Sequence, residues 1–179
     1  MGGWPGDWPT LPDSSLFDRE LQLVSQGYPS ENKNMQNYKI SFVDQISKET
    51  NAKMDAGLKE YATSHGIHVD WTPFALELFD EKNEVIGVLE AFSSYSSIYI
   101  NELWVDQSHR GQGYSRKLIV ELERLFKHKG FDNINTVTCA FQAPDFYKKC
   151  GFTAEFVREN KTNPKLTMTF FVKFFEENH

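Results

Sequence analysis

The residues best suited to chemistry lie between Ile98 and Lys117. An apolar run, Ile98-Tyr99-Ile100-Asn101-Glu102-Leu103-Trp104-Val105, leads through Asp106-Gln107-Ser108-His109 into Arg110-Gly111-Gln112-Gly113-Tyr114-Ser115-Arg116-Lys117. A strand rich in β-branched and aromatic residues, entering a glycine turn that opens a helix, aims several main-chain N–H groups at one spot. A helix N-terminus carries about half a positive charge there, so the spot suits phosphate oxygens. The competing reading is an ordinary strand–turn–helix joint. Two familiar phosphate loops do not fit. A P-loop requires Lys-Ser/Thr after its second glycine, and no such run exists; the dinucleotide fingerprint requires a glycine where Arg116 stands.

What remains is Arg110-x-x-Gly113-x-Ser115. It resembles the coenzyme A pyrophosphate loop of the GNAT superfamily of N-acetyltransferases, whose pattern is Gln/Arg-x-x-Gly-x-Gly/Ala. Ser115 departs from that pattern, but it is small, and its hydroxyl can donate to a phosphate. A second segment, Phe141-Gln142-Ala143-Pro144-Asp145-Phe146-Tyr147-Lys148-Lys149-Cys150-Gly151-Phe152, resembles the other hallmark of the superfamily, a short helix that carries Phe-Tyr and ends at Gly-Phe. Its Phe-Gln-Ala-Pro lead-in is similar to one group of small bacterial-type members. The resemblance runs from Asn37 to the C-terminus. Many members carry Asn where this chain has Ala140, so that cofactor contact is missing or comes from Thr138 or Gln142.

The resemblance implies a mixed, mostly antiparallel central sheet flanked by helices on both faces. It implies acetyl-CoA as co-substrate and direct attack, in a ternary complex, by a primary amine of a small molecule or an exposed protein. On the matching positions, the cofactor falls to Arg110, Gly111, Gln112, Gly113, Tyr114, Ser115 and Arg116, with Gln142 and Phe146. The strand Leu103-Trp104-Val105 supplies backbone groups to the pantetheine amides and one N–H to the oxyanion. Substrate walls come from Ser47–His65 and the hairpin tip Asn160–Pro164.

Tyr147 is the general-acid candidate, because a phenol with an ordinary pKa near 10 can donate to a departing thiolate and regain its proton at neutral pH. The alternative is a ring that packs and a hydroxyl tied to the backbone. Glu102 is the base candidate: a carboxylate on a central strand needs a reason to be there, and burial would raise its proton affinity. A structural ion pair is the alternative. Strand alternation places Asn101, able to orient water, with Tyr99 on the face opposite Glu102. Cys150 follows Lys148-Lys149, whose charge could lower a thiol pKa, but packing beside Gly151 explains it without a covalent route. The five histidines show no metal-ligand spacing, and no metal is expected.

A net charge of −6 argues against non-specific nucleic-acid binding. Cys139 and Cys150 make no disulfide framework. Residues Met1 to Leu11 show no signal peptide, and no apolar run approaches the ~20 residues of a membrane helix. These features lead us to expect a cytoplasmic protein with no membrane partner. Phe170–Phe175 suits a pairing edge or a dimer face, so a homodimer is a further expectation.

The elements that must position these residues follow from pattern. Residues 1–36 read as an extension: Trp4–Pro12 is interrupted by three prolines, Asp13–Gly27 contains a short helix, and Tyr28–Gln36 is a loop. Residues 37–179 read as one domain. Tyr38–Val43 alternates like a first strand, and Ser47–His65 is a helix ended by Gly66. Phe74–Phe79 and Val85–Ala91 form a hairpin around Asp80–Glu84. After the glycine loop, Leu118, Ile119, Leu122, Leu125 and Phe126 recur at helical spacing, with Gly130 as the stop. Asn135–Val137 reads as a short strand. Thr153–Arg158 and Leu166–Phe175 read as a closing hairpin. Two other function classes fit the same residues: an acyl-CoA-binding sensor without turnover, and an interaction module that docks through its Trp-Pro N-terminus.

Overall fold

The computed structural model describes residues 40–175; the readings for Trp4–Pro12, Asp13–Gly27 and Tyr28–Gln36 lie outside them. The described residues fall into two units that divide between Gly57 and Leu58. Helix α1 (Lys48–Ser64) starts behind Ser47, whose hydroxyl accepts from the Thr50 amide at 3.1 Å. The Tyr38–Val43 strand is corrected: residues 40–43 form no strand, and the first two positions lie outside the described residues. Alternation selects a face, but only a partner strand makes a ladder.

In the second unit, six strands form one sheet in the order β1-β2-β3-β4-β6-β5. They are β1 (Trp71–Phe79), β2 (Val85–Ser94), β3 (Ser97–Val105), β4 (Asn133–Cys139), β5 (Thr153–Arg158) and β6 (Met168–Phe174). All neighbours pair antiparallel except β3 and β4. This is the mixed, mostly antiparallel sheet that the sequence implied. The β1–β2 turn closes on Asp80, whose carboxylate accepts from the amides of Lys82 (2.8 Å) and Glu84 (2.9 Å). The β2–β3 turn is Tyr95-Ser96, with Tyr95 at φ 53°. No glycine or asparagine marks it, so the sequence offered no turn signal there.

Helix α2 (Tyr114–Phe126) follows the glycine loop, and the short helix α3 (Pro144–Lys149) follows β4. Helix α2 buries Leu118, Ile119 and Leu122 against Leu89, Ala91, Ile98 and Ile100 of the sheet, while α3 adds Tyr147 to the same core. Each fully buried aliphatic side chain here contributes about 1.5–3 kcal/mol. Gly87 of β2 sits tight against β3 under helix α2: a Cβ there would meet Trp104 O and Val105 Cγ2 at 3.3 Å and Leu118 Cδ1 at 3.4 Å. The helix ends at Phe126, earlier than the sequence suggested, and a turn fills the interval to Gly130.

Phe170–Phe175 is not a free pairing edge. Strand β6 lies between β4 and β5, both of its edges are in ladders, and Phe171 and Val172 are buried. The final strand in the chain inserts inside the sheet, a placement its residue pattern does not encode.

Candidate active site

The loop after β3 is built from local bonds. Asp106 accepts from the Ser108 amide at 2.9 Å and from the Ser108 hydroxyl, capping a single 3-10 turn over Gln107–His109. Those two bonds, with help from His109, hold its carboxyl below the usual range. Arg110 folds back, its Nε donating to Val105 O at 3.0 Å. The chain then needs a left-handed residue to enter helix α2, and Gly113 supplies it at φ 81°. No side chain caps the first turn, and the first helical bond runs from the Lys117 amide to Gly113 O. The amides of Tyr114, Ser115 and Arg116 are therefore left for an acceptor in the cavity beside them, of about 280 Å³.

The second part of the site comes from strands that separate. β3 and β4 pair in parallel only from Ser97–Tyr99 to Asn133–Asn135. Beyond that point the edge of β3 that faces β4 has no ladder. The Thr136 hydroxyl bridges the opening, donating to Ile100 O at 3.3 Å. A cavity of about 260 Å³ fills the wedge, lined on one wall by Asn101, Glu102 and Leu103 and on the other by Thr136, Gln142 and Tyr147. Ser115 and Phe146 line both cavities, so loop and wedge are contiguous.

A bulge changes which side chains face outward. Glu90 pairs with Glu102, but Ala91 pairs with Ile100, so Asn101 is the extra residue on β3. Alternation read straight through placed Tyr99 opposite Glu102. The bulge instead puts both on the face of Phe92 and Glu90, away from the core. Glu102 is exposed, not buried as expected. Its charge still reaches the Tyr147 phenol across the wedge.

Tyr147 is 8% exposed, with its ring against Phe146, Phe152 and Phe171 at centroid distances of 5.2, 5.6 and 5.7 Å. Burial pushes its pKa above the ordinary tyrosine value, and the charges of Cys150 and Glu102 add to the rise. The polar Thr136 side chain opposes it. The phenol is thus held protonated at the mouth of the wedge.

Two cations grip the C-terminal end of α3. The Arg116 guanidinium donates to Lys149 O, and Lys173 Nζ donates to Cys150 O at 2.9 Å and pairs with Glu123. Burial raises the Cys150 thiol pKa despite Arg116 and Lys173. The cations that reach it are therefore these two and not the neighbouring lysines in sequence, and they do not make it a thiolate.

Most predicted site residues converge. Val105, Arg110, Gly111, Gly113, Tyr114, Ser115 and Arg116 meet at the loop cavity; Glu102, Leu103, Gln142 and Tyr147 meet in the wedge; Phe146 serves both. Trp104 and Gln112 line neither cavity. Trp104 pairs with Val88 on the outward face. Gln142 Oε1 is occupied by the Cys139 amide (2.8 Å) and the Thr138 hydroxyl (3.1 Å), which pins the turn after β4 around Ala140. His109 and Thr136 were missed. Thr136 had a signal: a hydroxyl on the core-facing parity of a strand next to Ile134. Among the described residues no group of three or more His, Cys, Asp or Glu could hold a metal ion, and no helix is long and apolar enough to cross a membrane.

Comparison with known proteins agrees with this geometry. A family model described as "Acetyltransferase (GNAT) family" matches residues 41–152. No curated protein matches the sequence. Among solved structures, an acetyltransferase from Bacillus cereus ATCC 14579 is similar, with 26% identity, a TM-score of 0.62, and coverage of 75% of this chain and 97% of that one. An aminoglycoside 6'-N-acetyltransferase complexed with coenzyme A shares the fold at 17% identity and a TM-score of 0.51, over 60% and 75% of the two chains. The ribosomal-protein-S18-alanine N-acetyltransferase from Escherichia coli does so at 13% identity and a TM-score of 0.52, over 75% and 94%.

Proposed function

The chain belongs to the GNAT acetyltransferase family and is an acetyl-CoA-dependent acyltransferase, and from that premise we propose that it transfers an acetyl group to a primary amine, of a small molecule or an exposed protein amine, by direct attack in a ternary complex. The observation that carries the proposal is the continuity of the two cavities through Ser115 and Phe146. A phosphate-type cradle opens onto a wedge with an unpaired strand edge on one wall and a buried phenol on the other.

The residues present suit the co-substrate. The amides of Tyr114, Ser115 and Arg116, with the Ser115 hydroxyl and Arg110, would hold the diphosphate. The free edge of Leu103–Val105 offers amide donors and acceptors to the pantetheine arm, as a neighbouring strand would. Bound there, acetyl-CoA supplies an activated acyl group. Tyr147 then gives its proton to the departing sulfur, and Glu102, exposed at the same wedge, accepts the proton of the attacking amine or holds the amine cation beforehand.

Magnitudes rank these effects. Positioning two reactants contributes up to about 7–11 kcal/mol, whereas one general acid contributes about 10²–10⁴-fold, or roughly 3–5 kcal/mol. Losing Tyr147 should therefore slow the enzyme and not abolish it. Thermal shift with acetyl-CoA tests the binding step: at a ligand concentration 100 times Kd, stability should rise by about 2.7 kcal/mol. Free-thiol release with an amine panel tests turnover. A bound co-substrate with no thiol release from any amine would favour the non-catalytic sensor.

A further inference from the structure

The turn that leads into the glycine loop holds a network whose protons can be assigned from its partners. Asp106 accepts from the Ser108 amide at 2.9 Å and from the Ser108 hydroxyl, and His109 Nδ1 lies 3.4 Å from the same carboxylate oxygen and 2.9 Å from Ser108 Oγ. The bonds from Ser108 and His109 hold the Asp106 carboxyl below its usual range, so at neutral pH it is ionised and can only accept. The hydroxyl proton of Ser108 is thereby committed to Asp106, and Ser108 Oγ turns a lone pair to Nδ1. The imidazole must then carry its first proton on Nδ1. Nε2, its other polar atom, is an acceptor in the neutral ring and a donor only in the charged ring.

His109 is partly buried and lines the same cavity of about 280 Å³ as Tyr114, Ser115 and Arg116. We propose that His109 is a cofactor-binding residue that holds the CoA diphosphate through Nε2 in its charged form, so that the co-substrate binds together with a proton. The proposal rests on the acetyl-CoA reading above, with the diphosphate at the glycine loop. A neutral Nε2 would set a lone pair against the phosphate oxygens that the amides draw in; a charged ring adds a donor instead. The other charged and titratable groups around the ring pull both ways. Arg110 and Arg116 line the cavity with it, and the Tyr114 ring lies 6.3 Å away with Lys117 Nζ 4.9 Å from its centroid. These cations oppose a charged imidazole and Asp106 favours it, so an arriving diphosphate tips the balance toward the charged form. The sign follows. Affinity is greatest on the acid side and falls as pH rises through the range where an imidazole loses its proton, about pH 5–8.

Calorimetric titration in two buffers of different ionisation enthalpy counts the protons that accompany binding. The probe is 3′-dephospho-CoA, which keeps the diphosphate and lacks the phosphate monoester that itself titrates near about pH 6. The native protein should take up a fraction of a proton at about pH 7 and bind about tenfold more weakly at about pH 8.5 than at about pH 5.5. His109→Gln should bind more weakly at acid pH, with neither uptake nor slope. His109→Lys, whose charge persists across the range, should bind without uptake and without weakening toward alkaline pH. Binding by the native protein without uptake, or uptake that persists in His109→Gln, overturns the proposal and leaves the acetyl-CoA reading intact. Uptake with CoA but not with 3′-dephospho-CoA overturns it too, because the proton then belongs to the ligand. Absence of any binding of acetyl-CoA, CoA or 3′-dephospho-CoA overturns the acetyl-CoA reading itself, and the proposal with it.

Discussion

The two walls of the wedge are made differently. The β3 wall offers mostly main chain: it is laddered to β2 along its length, bulged at Asn101, and presents an unpaired edge beside the exposed Glu102 side chain. The β4–α3 wall is side chain. Its strand is laddered to β6, and Thr136, Gln142 and Tyr147 project into the opening. Backbone can recognise an amide-bearing arm with little dependence on residue type, whereas proton transfer requires particular functional groups. On the proposed mechanism the contrast gives co-substrate affinity to the β3 edge with its glycine loop and proton donation to the β4–α3 wall, with Glu102 the proton-handling side chain on the β3 side.

Substitutions can break that division. The largest effect is expected for Tyr147→Phe, which should lower kcat about 10²-fold while leaving KM for acetyl-CoA within about twofold. A change in KM with kcat intact, measured by steady-state thiol release, would merge the two walls into one binding surface. Gly113→Val should act in the opposite column. A β-branched residue at φ 81° costs at least about 1–2 kcal/mol, so acetyl-CoA affinity should fall about tenfold, read as a smaller thermal shift, with the chemical step retained at saturation.

Thr136→Val sharpens the comparison through pH. The phenol already has a raised pKa, so its proton is in place through neutral and mildly alkaline pH, and rate attributable to it is lost only on the alkaline side. The Thr136 hydroxyl opposes the rise, so removing it should move the alkaline limb of kcat further up, with kcat itself reduced severalfold. A limb that stays in place would show that Thr136 does not act on Tyr147. Arg116→Gln removes the donor to Lys149 O. It should lower kcat a few-fold by loosening α3, and an unaltered kcat with weakened CoA binding would return Arg116 to the phosphate role. Cys150→Ala should change kcat by less than twofold, because burial keeps that thiol protonated; abolished turnover in a folded variant would instead indicate an acyl-cysteine route.

How much was legible depended on how local each feature is. The loop could be read because its glycines and the apolar stripe of α2 act through neighbours in sequence: left-handed residues at Gly111 and Gly113, then a helical repeat. Tyr147 was legible for a related reason. Adjacent aromatic residues on a helix point to different sides, and only one of Phe146 and Tyr147 is buried. The face of Glu102 was not legible. Alternation has a period of two, and one extra residue at Asn101 inverts everything beyond it. That bulge shows only in the register with β2.

By itself, then, the chain determined its strand and helix content around the loop, the glycine turn and the short helix that carries Tyr147, because each rests on interactions among near neighbours. Tertiary structure alone decided that β6 enters the sheet between β4 and β5, that β3 and β4 part after Tyr99, and that Arg116 and Lys173 reach the end of α3. Those outcomes depend on pairing and packing between segments far apart in sequence, where no local pattern states which partner will be found.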